Sequence, residues 1–328
     1  MSKISIIIPA YNAGKTLAAT VESVLSETLK DLELWIVDDG SKDDTGSIAD
    51  SFAAKDSRVH VIHQDNQGTF RARLNALRQI STPYFGFVDA DDVIEPLMHE
   101  RMVAFAEENN LDVVQSDLFG QGTEEPPVIV IGREDIVRDV VRPWLFEGTG
   151  AALVWDKIYR RSCADGDFDV SYYSTFEDLV LNLHFFRNVK SFGHIHEGYY
   201  HYQVNGGSTT RNFSERNIEG FKEVLRARKT IGGMYDIDSN DGLFNMWTLM
   251  NASNLVRQAT LAPAASNKVR VEHIKAVLSL EEVQEAMRNA PESAHFLCCV
   301  GNCPWVYVVK TRLVANARKF AKVCMGWN

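Results

Sequence analysis

The chain has 328 residues, 45% of them hydrophobic and 24% charged, an ordinary globular composition sized for one large domain plus a smaller one. Its net charge of −10 argues against nucleic acid as the main partner, because phosphate backbones demand a basic surface. No apolar run is long enough to span a bilayer, and the run near the start meets Pro9 too early for a secretory signal, so a cytoplasmic setting is expected.

The first strand is expected at Ile4–Ile8, a nearly continuous β-branched run of the kind found in parallel strands covered on both faces. Pro9-Ala-Tyr-Asn-Ala-Gly14 breaks it. A helix follows over about 15–27, with Leu17, Val21, Val24 and Leu25 at helical spacing. Leu32–Val37 reads as a second strand and ends in Asp38-Asp39-Gly40-Ser41, before a helix over 41–54. Val59–Ile62 is a third strand and 69–79 a third helix. Pro83 restarts the chain into the strand Tyr84–Val88, which runs straight into Asp89-Ala90-Asp91-Asp92, and the next helix is expected from Val93 to Ala106. Strands alternating with helices imply right-handed βαβ units and a parallel sheet. Ligands of such sheets bind outside the carboxyl ends of the strands. Three strand ends carry unusual chemistry, at Ala10-Tyr-Asn12, Asp38-Asp39 and Asp89–Asp92, and should converge on one crevice.

Beyond 120 the pattern is less regular. A helix is expected over 133–146, interrupted near Pro143, then a strand or turn over 154–161 and a helix over 177–186 that opens on Glu177 and Asp178. From about Ser214 onward only helical patterns remain, so a domain boundary is placed between 213 and 214.

Three carboxylates crowded at the end of a buried strand repel one another and call for a positive partner. Asp89 and Asp91 alternate along an extended chain and so point the same way, while Asp92 points elsewhere or caps the next helix. Two carboxylates on one side suit a hard divalent cation, Mg²⁺ or Mn²⁺, that arrives with substrate phosphates. A lone D-x-D is weak, since short Asp runs are commonly solvated turns. Its place directly after an apolar strand, with Asp38-Asp39 at another strand end, strengthens it.

The ordered set "SIIIPAYNAGKTLAATVESVLSETLKDLELWIVDDGSKDDT", "NQGTFRARLNAL" and "FVDADD", continued by "VWDKIYRR", "TFEDLVLNLHFF" and "YHYQVNGGSTTR", resembles the family 2 glycosyltransferases. The resemblance implies a GT-A fold, a Rossmann-like and mostly parallel α/β sheet flanked by helices, over 1–213. Its donor-binding half would be about 1–95 and its acceptor-side half 96–213, with 214–328 as a helical C-terminal region. It implies an inverting transfer of sugar from a nucleotide-diphosphate donor, usually a UDP-sugar, to an acceptor hydroxyl. The acceptor implied is a growing bacterial surface glycan, lipid-linked or protein-linked. By resemblance Pro9, Ala10 and Tyr11 line the base and Asp39 hydrogen-bonds it. Arg73 approaches the nucleotide or its phosphates; the family often has Asn where this chain has Leu74. Asp89, with Ala90, contacts the ribose or donor sugar, and Asp91 binds the metal. Glu177-Asp178 matches the catalytic pair with Asp178 as general base, and Ser208 and Arg211 match an element that closes over the diphosphate.

Competing readings exist for several of these. Glu177-Asp178 alone would be a favourable acidic first turn of a helix. Asp38 is read as structural, holding its loop. His194 and His196 fall on one side of a strand as a possible metal pair, although surface or packing roles are the simpler reading. His201 is a candidate extra metal ligand beside the "GSTTR" element, and Trp155 and Tyr159 are candidates for the acceptor site or for core packing. Cys298, Cys299 and Cys303 invite a zinc reading but lack an obvious fourth ligand. A pyrophosphorylase or dinucleotide dehydrogenase would need a Gly-rich loop after the first strand, which this chain lacks. A catalytically silent sugar-nucleotide or glycan-binding subunit is the non-enzyme alternative. The tail 305–328 carries Lys310, Arg312, Arg318, Lys319 and Lys322 and no acidic residue, with Trp305 and Trp327 at its ends. It suits either an interfacial helix on the inner face of an anionic membrane or a helix packed on the protein with a basic outer face.

Overall fold

The computed structural model describes residues 2–143, 153–166, 168, 177–203, 215–233, 235–236, 242–262 and 265–311. The chain divides into two compact units, 1–144 with 149–205, and 145–148 with 206–328.

The first unit is built on one sheet. Its strands are β1 (Ile4–Ala10), β2 (Leu32–Asp38), β3 (Val59–His63), β4 (Tyr84–Phe87), β5 (Val93–Ile94), β6 (Val113–Leu118), β7 (Val128–Ile131), β8 (Lys157–Arg160) and β9 (Ser191–His201). They lie in the order β3-β2-β1-β4-β8-β6-β9-β5, with β7 also paired to β9. β1, β2, β3 and β4 are mutually parallel, whereas β8 runs antiparallel to both β4 and β6. Every residue of β1 is buried, as expected of a strand covered on both faces. The helices are α1 (Leu17–Leu25), α2 (Thr45–Ala53), α3 (Thr69–Leu77), α4 (Met98–Asn109), the short α5 (Arg133–Ile136), which runs on as a π-turn over Val137–Val141, and α6 (Glu177–Phe185). One core joins α1 and α4 to β1, β2 and β6 through Leu17, Val21, Met102 and Val114. Elsewhere Phe85 and Tyr159 stack with ring centroids 5.1 Å apart, and Phe185 packs edge-on against Phe85.

Two sequence expectations need correction. Val93 and Ile94 do not begin a helix. They form β5, paired with His201 and Tyr200 of β9, and α4 starts only at Met98. Both residues are β-branched and half- or fully buried, and an edge of β9 is there to receive them. Asp92 is therefore no helix cap. Of the two readings open for Tyr159, its full burial and the donation from its hydroxyl to Asn182 favour core packing.

The second unit is helical: α7 (Glu215–Gly233), α8 (Gly242–Leu261), α9 (Asn267–Leu278), α10 (Glu281–Asn289) and α11 (His295–Asn302). Its core contains Phe221, Trp247, Val256, Ile274 and Leu297. A further helix begins at 304; residues 312–328 lie outside the described part. In that helix Val308 is buried, but Trp305, Val306 and Val309 are exposed.

Candidate active site

β1 is flanked by β2 on one side and β4 on the other, so the chain order reverses there and a crevice opens outside the carboxyl ends of the strands. The loop after β1 leaves the sheet through Asn12 at φ 51, a left-handed conformation that Asn tolerates. It is fastened to the loop after β2: Asn12 N donates to Ser41, Lys42 N donates to Asn12 Oδ1, and Ala13 N donates to Thr45. Pro9 and Ala10 are buried, whereas Tyr11 stands 51% exposed and offers a ring face at the rim.

Asp38 and Asp39 both hold loops. Asp38 accepts from Ser41 N and pairs with His63 Nδ1 at 3.0 Å. Asp39, buried, accepts from Gln64 Nε2 (2.7 Å), Gln67 N (2.8 Å) and Gly68 N (2.8 Å), which fixes the lead-in to α3. Gly40 makes this crossing possible: at φ +72 a Cβ would come 2.8 Å from Asn66 N, so no other residue fits without moving backbone.

α3 turns Arg73 inward, 2% exposed, beside the buried Leu74. Its guanidinium bridges two distant parts of the chain. Nη2 donates to Asp89 Oδ1 at 2.9 Å, beyond the end of β4, and Nη1 donates to Asp178 Oδ1 at 2.5 Å, in the first turn of α6. The same guanidinium lies 5.5 Å from the centroid of Phe87. The forked shape of Arg allows one residue to serve two carboxylates in fixed geometry. Asp178 also accepts from Val154 N at 3.4 Å. Its neighbour Glu177 has its carboxyl pushed up to about 7 by burial, with the negative charge of Asp178 adding to the effect.

The acidic stretch divides by environment. Burial raises the Asp89 carboxyl, against the pull of Arg73. Ala90 is buried and its carbonyl accepts from Thr20. Asp91 is half-buried. Asp92, nearly fully buried, accepts from Tyr200 Oη (2.8 Å) and Gln203 N (2.7 Å). Burial pushes its carboxyl up to about 7, and the charges of Asp89 and Asp91 add to that. Tyr200 Oη also receives the Asp89 N–H at 3.1 Å, and its ring stacks on Trp155 with centroids 4.2 Å apart. His201 is engaged otherwise: its Nε2 lies 2.6 Å from Glu95 Oε1, and its ring stacks on Phe119. Ser208 and Arg211 lie outside the described residues.

So α3, the end of β4 and the start of α6 bring Arg73, Asp89 and Asp178 together, with Glu177, Asp91 and Asp92 alongside. Sequence reasoning missed Tyr200 as the strut beneath the acidic stretch. The aromatic run Tyr199-Tyr-His-Tyr202 at the end of a strand was the available signal. It also missed the contact between Arg73 and Asp178, which are 105 positions apart.

The mixed sheet flanked by helices, with the acidic stretch beyond β4, is the GT-A architecture. The Glycosyl transferase family 2 profile matches residues 5–143. An uncharacterized glycosyltransferase of Bacillus subtilis, EpsJ, is 28% identical over 307 residues, covering 88% of this chain and 87% of the relative. The uncharacterized glycosyltransferase YibD of Escherichia coli is 30% identical over 226 residues, 66% of this chain and 65% of the relative. Among solved structures, S. aureus TarS 1–349 in complex with UDP superimposes with a TM-score of 0.62 at 21% identity, over 90% of this chain and 83% of that one. With these relatives the protein is a glycosyltransferase, similar over most of its length to members of glycosyl transferase family 2.

Proposed function

We propose that the protein transfers a sugar from a UDP-sugar to an acceptor hydroxyl with inversion, in the synthesis of a bacterial surface glycan. The observation that carries this reading is the Arg73 bridge, which sets the Asp178 carboxylate beside the donor-side carboxylate Asp89. Tyr11 is offered as the stacking surface for the base, in the pocket framed by Pro9, Ala10 and the loop that Asp39 holds. The uracil choice draws support from TarS, whose crystals hold UDP and UDP-GlcNAc. The surface-glycan setting follows the family resemblance.

The residues present fit a divalent cation. Asp89, Asp91 and Asp92 crowd one strand end, where burial first, and neighbouring negative charge second, raises two of the three carboxyls. Asp91, with Asp89, would hold Mn²⁺ or Mg²⁺. When bound with the donor, the ion supplies neutralisation of charge on the leaving diphosphate. Asp178 accepts the proton of the acceptor O–H as that oxygen attacks the anomeric carbon. The bond from that carbon to the diphosphate oxygen breaks, and its electron pair leaves with the diphosphate. A single displacement without a protein nucleophile inverts the anomeric centre. Arg73 orients Asp178 and Asp89 relative to one another, and Tyr200 holds Asp92 and the Asp89 backbone in register. Ser208 and Arg211 are proposed to close over the diphosphate.

Among the described residues no helix is long and apolar enough to cross a membrane. We place the work of the enzyme at a membrane surface through 305–328, supported by exposed Trp305, Val306 and Val309 beside a basic tail. Loss of anionic-liposome binding on deleting Trp305–Asn328 is the expected result; retained binding removes this part. The transfer itself is tested with a panel of UDP-sugars and Mn²⁺ or Mg²⁺. Turnover that requires the ion and disappears in Asp178→Asn supports the reading, and undiminished turnover in that variant overturns it.

A further inference from the structure

Far along β9 from Tyr200 lies a second group of metal-ligating side chains. His194 and His196 are two apart on a strand, so their imidazoles share one face, while Ile195 between them points into the core. Their ring centroids are 4.3 Å apart. The neighbouring strand β6 supplies Asp117. The pairing between the two strands is irregular here: Gln115 faces His194, but Asp117 faces Gly198. Asp117 thereby reaches both rings, with Oδ1 2.8 Å from His194 Nε2 and Oδ2 3.6 Å from His196 Nδ1. The candidate ligand atoms of the three residues all lie within 4.8 Å of one another. The side chains are 20%, 23% and 14% exposed for Asp117, His194 and His196, enclosed enough to be held and open enough to be reached.

We infer that Asp117, His194 and His196 form a site for one borderline-soft divalent transition ion, best matched by Zn²⁺, separate in chemistry from the carboxylates beyond β4. Tetrahedral zinc with arms of 2.0–2.1 Å separates neighbouring ligand atoms by about 3.3 Å. The two carboxylate–imidazole distances, 2.8 and 3.6 Å, run to the two oxygens of Asp117, and one ligand atom from each residue lies within 4.8 Å of the others, so binding requires the three side chains to draw together around the ion. Two imidazoles select Zn²⁺, Co²⁺ or Ni²⁺ over Mg²⁺, which prefers oxygen throughout. A water molecule completes the coordination. The ion acts as a staple between β6 and β9, and β9 is the strand that carries Tyr200 to the acidic stretch. Because the staple exists only in the folded chain, its binding free energy adds to stability.

The test uses the full chain with Cys298, Cys299, Cys303 and Cys324 changed to Ser, which leaves only the buried Cys163, in excess Mg²⁺ to occupy all-oxygen sites. Calorimetric titration with Zn²⁺ is expected to show one saturable equivalent and a rise in melting temperature. The double variant His194→Gln, His196→Gln should weaken binding by more than about 100-fold, the upper end for loss of a mere supporting group. Asp117→Asn should weaken it less. A readout on the otherwise unsubstituted histidines guards against a variant that does not fold: imidazole ¹⁵N–¹H spectra should show Zn²⁺ moving two of the nine histidines, one of which disappears in His196→Gln. No saturable binding, or binding to histidines other than these two, overturns the proposal and leaves a hydrogen-bonded Asp–His cluster.

Discussion

The two units of the chain treat buried charge in opposite ways. In the sheet unit the deeply buried Arg and Lys side chains among the described residues have carboxylate company: Arg73 bridges Asp89 and Asp178, and Lys157 pairs with Asp156. In the helical unit Arg228 is fully buried, yet none of its guanidinium nitrogens has a hydrogen-bond partner among the described residues. It rests on rings instead, 3.3 Å from the centroid of Trp247 and 4.7 Å from that of Phe244. Arg270 of the same unit donates to the Ala262 carbonyl and to Asn267 Oδ1. Burying ions costs more than their pairing returns unless the geometry is excellent. The sheet unit bears that cost at the carboxylates proposed to carry the chemistry; the helical unit holds its buried Arg228 against aromatic faces.

Substitutions can break this contrast, beginning with the largest effect. Asp178→Asn should lower the transfer rate by about 10²–10⁴-fold, the range for losing a general base, with donor affinity nearly unchanged in a nucleotide-binding titration. Arg73→Met leaves Asp89 and Asp178 as unpaired charges and should cost about 3–5 kcal/mol in urea unfolding. Tyr200→Phe removes one hydroxyl from both Asp92 and the Asp89 N–H and should cost about 1–3 kcal/mol, in part recovered by the divalent cation in a thermal melt. Arg228→Met should change stability by less than about 1 kcal/mol, or raise it, since no ionic partner is stranded. If Arg228→Met proves as costly as Arg73→Met, the two units do not differ in the way described.

A smaller effect follows from pH. Burial, with the charge of Asp178 adding to it, pushes the Glu177 carboxyl up from an ordinary 4.5 to about 7, and burial likewise lifts Asp156 to about 6. Between those ordinary and raised values the folded state holds more protons than the unfolded one, so stability falls as pH rises from about 4.5 to 7. Glu177→Gln should make the melting temperature less steep across that window, and an unchanged slope would remove Glu177 as a source.

Much of the site lies near one sequence neighbourhood and is legible there. An apolar strand running into Asp89-Ala90-Asp91-Asp92 states its own problem, and parallel βαβ order places it beside the ends of β1 and β2. The contacts that organise those carboxylates are not legible, because they come from remote positions. Arg73 meets Asp178 through the packing of α3 against α6, and Tyr200 meets Asp92 through the pairing of β5 with β9, neither of which a local pattern encodes. The misplaced helix start at Val93 has the same cause: a two-residue strand exists because β9 is there to pair with it. In the helical unit the periodicity of α7–α11 announces helices, but Arg228 reads as an ordinary surface charge until Trp247 and Phe244 are seen around it. The pair His194 and His196 was visible as a same-face motif; the third member, Asp117, needed the irregular pairing of β6 with β9.

The most direct test of the central claim follows the anomeric proton by NMR as an α-linked UDP-sugar is consumed with its acceptor in the presence of Mn²⁺ or Mg²⁺. The first-formed product is expected to carry a β linkage, and to be absent with Asp178→Asn. An α-linked product would contradict a single displacement assisted by Asp178.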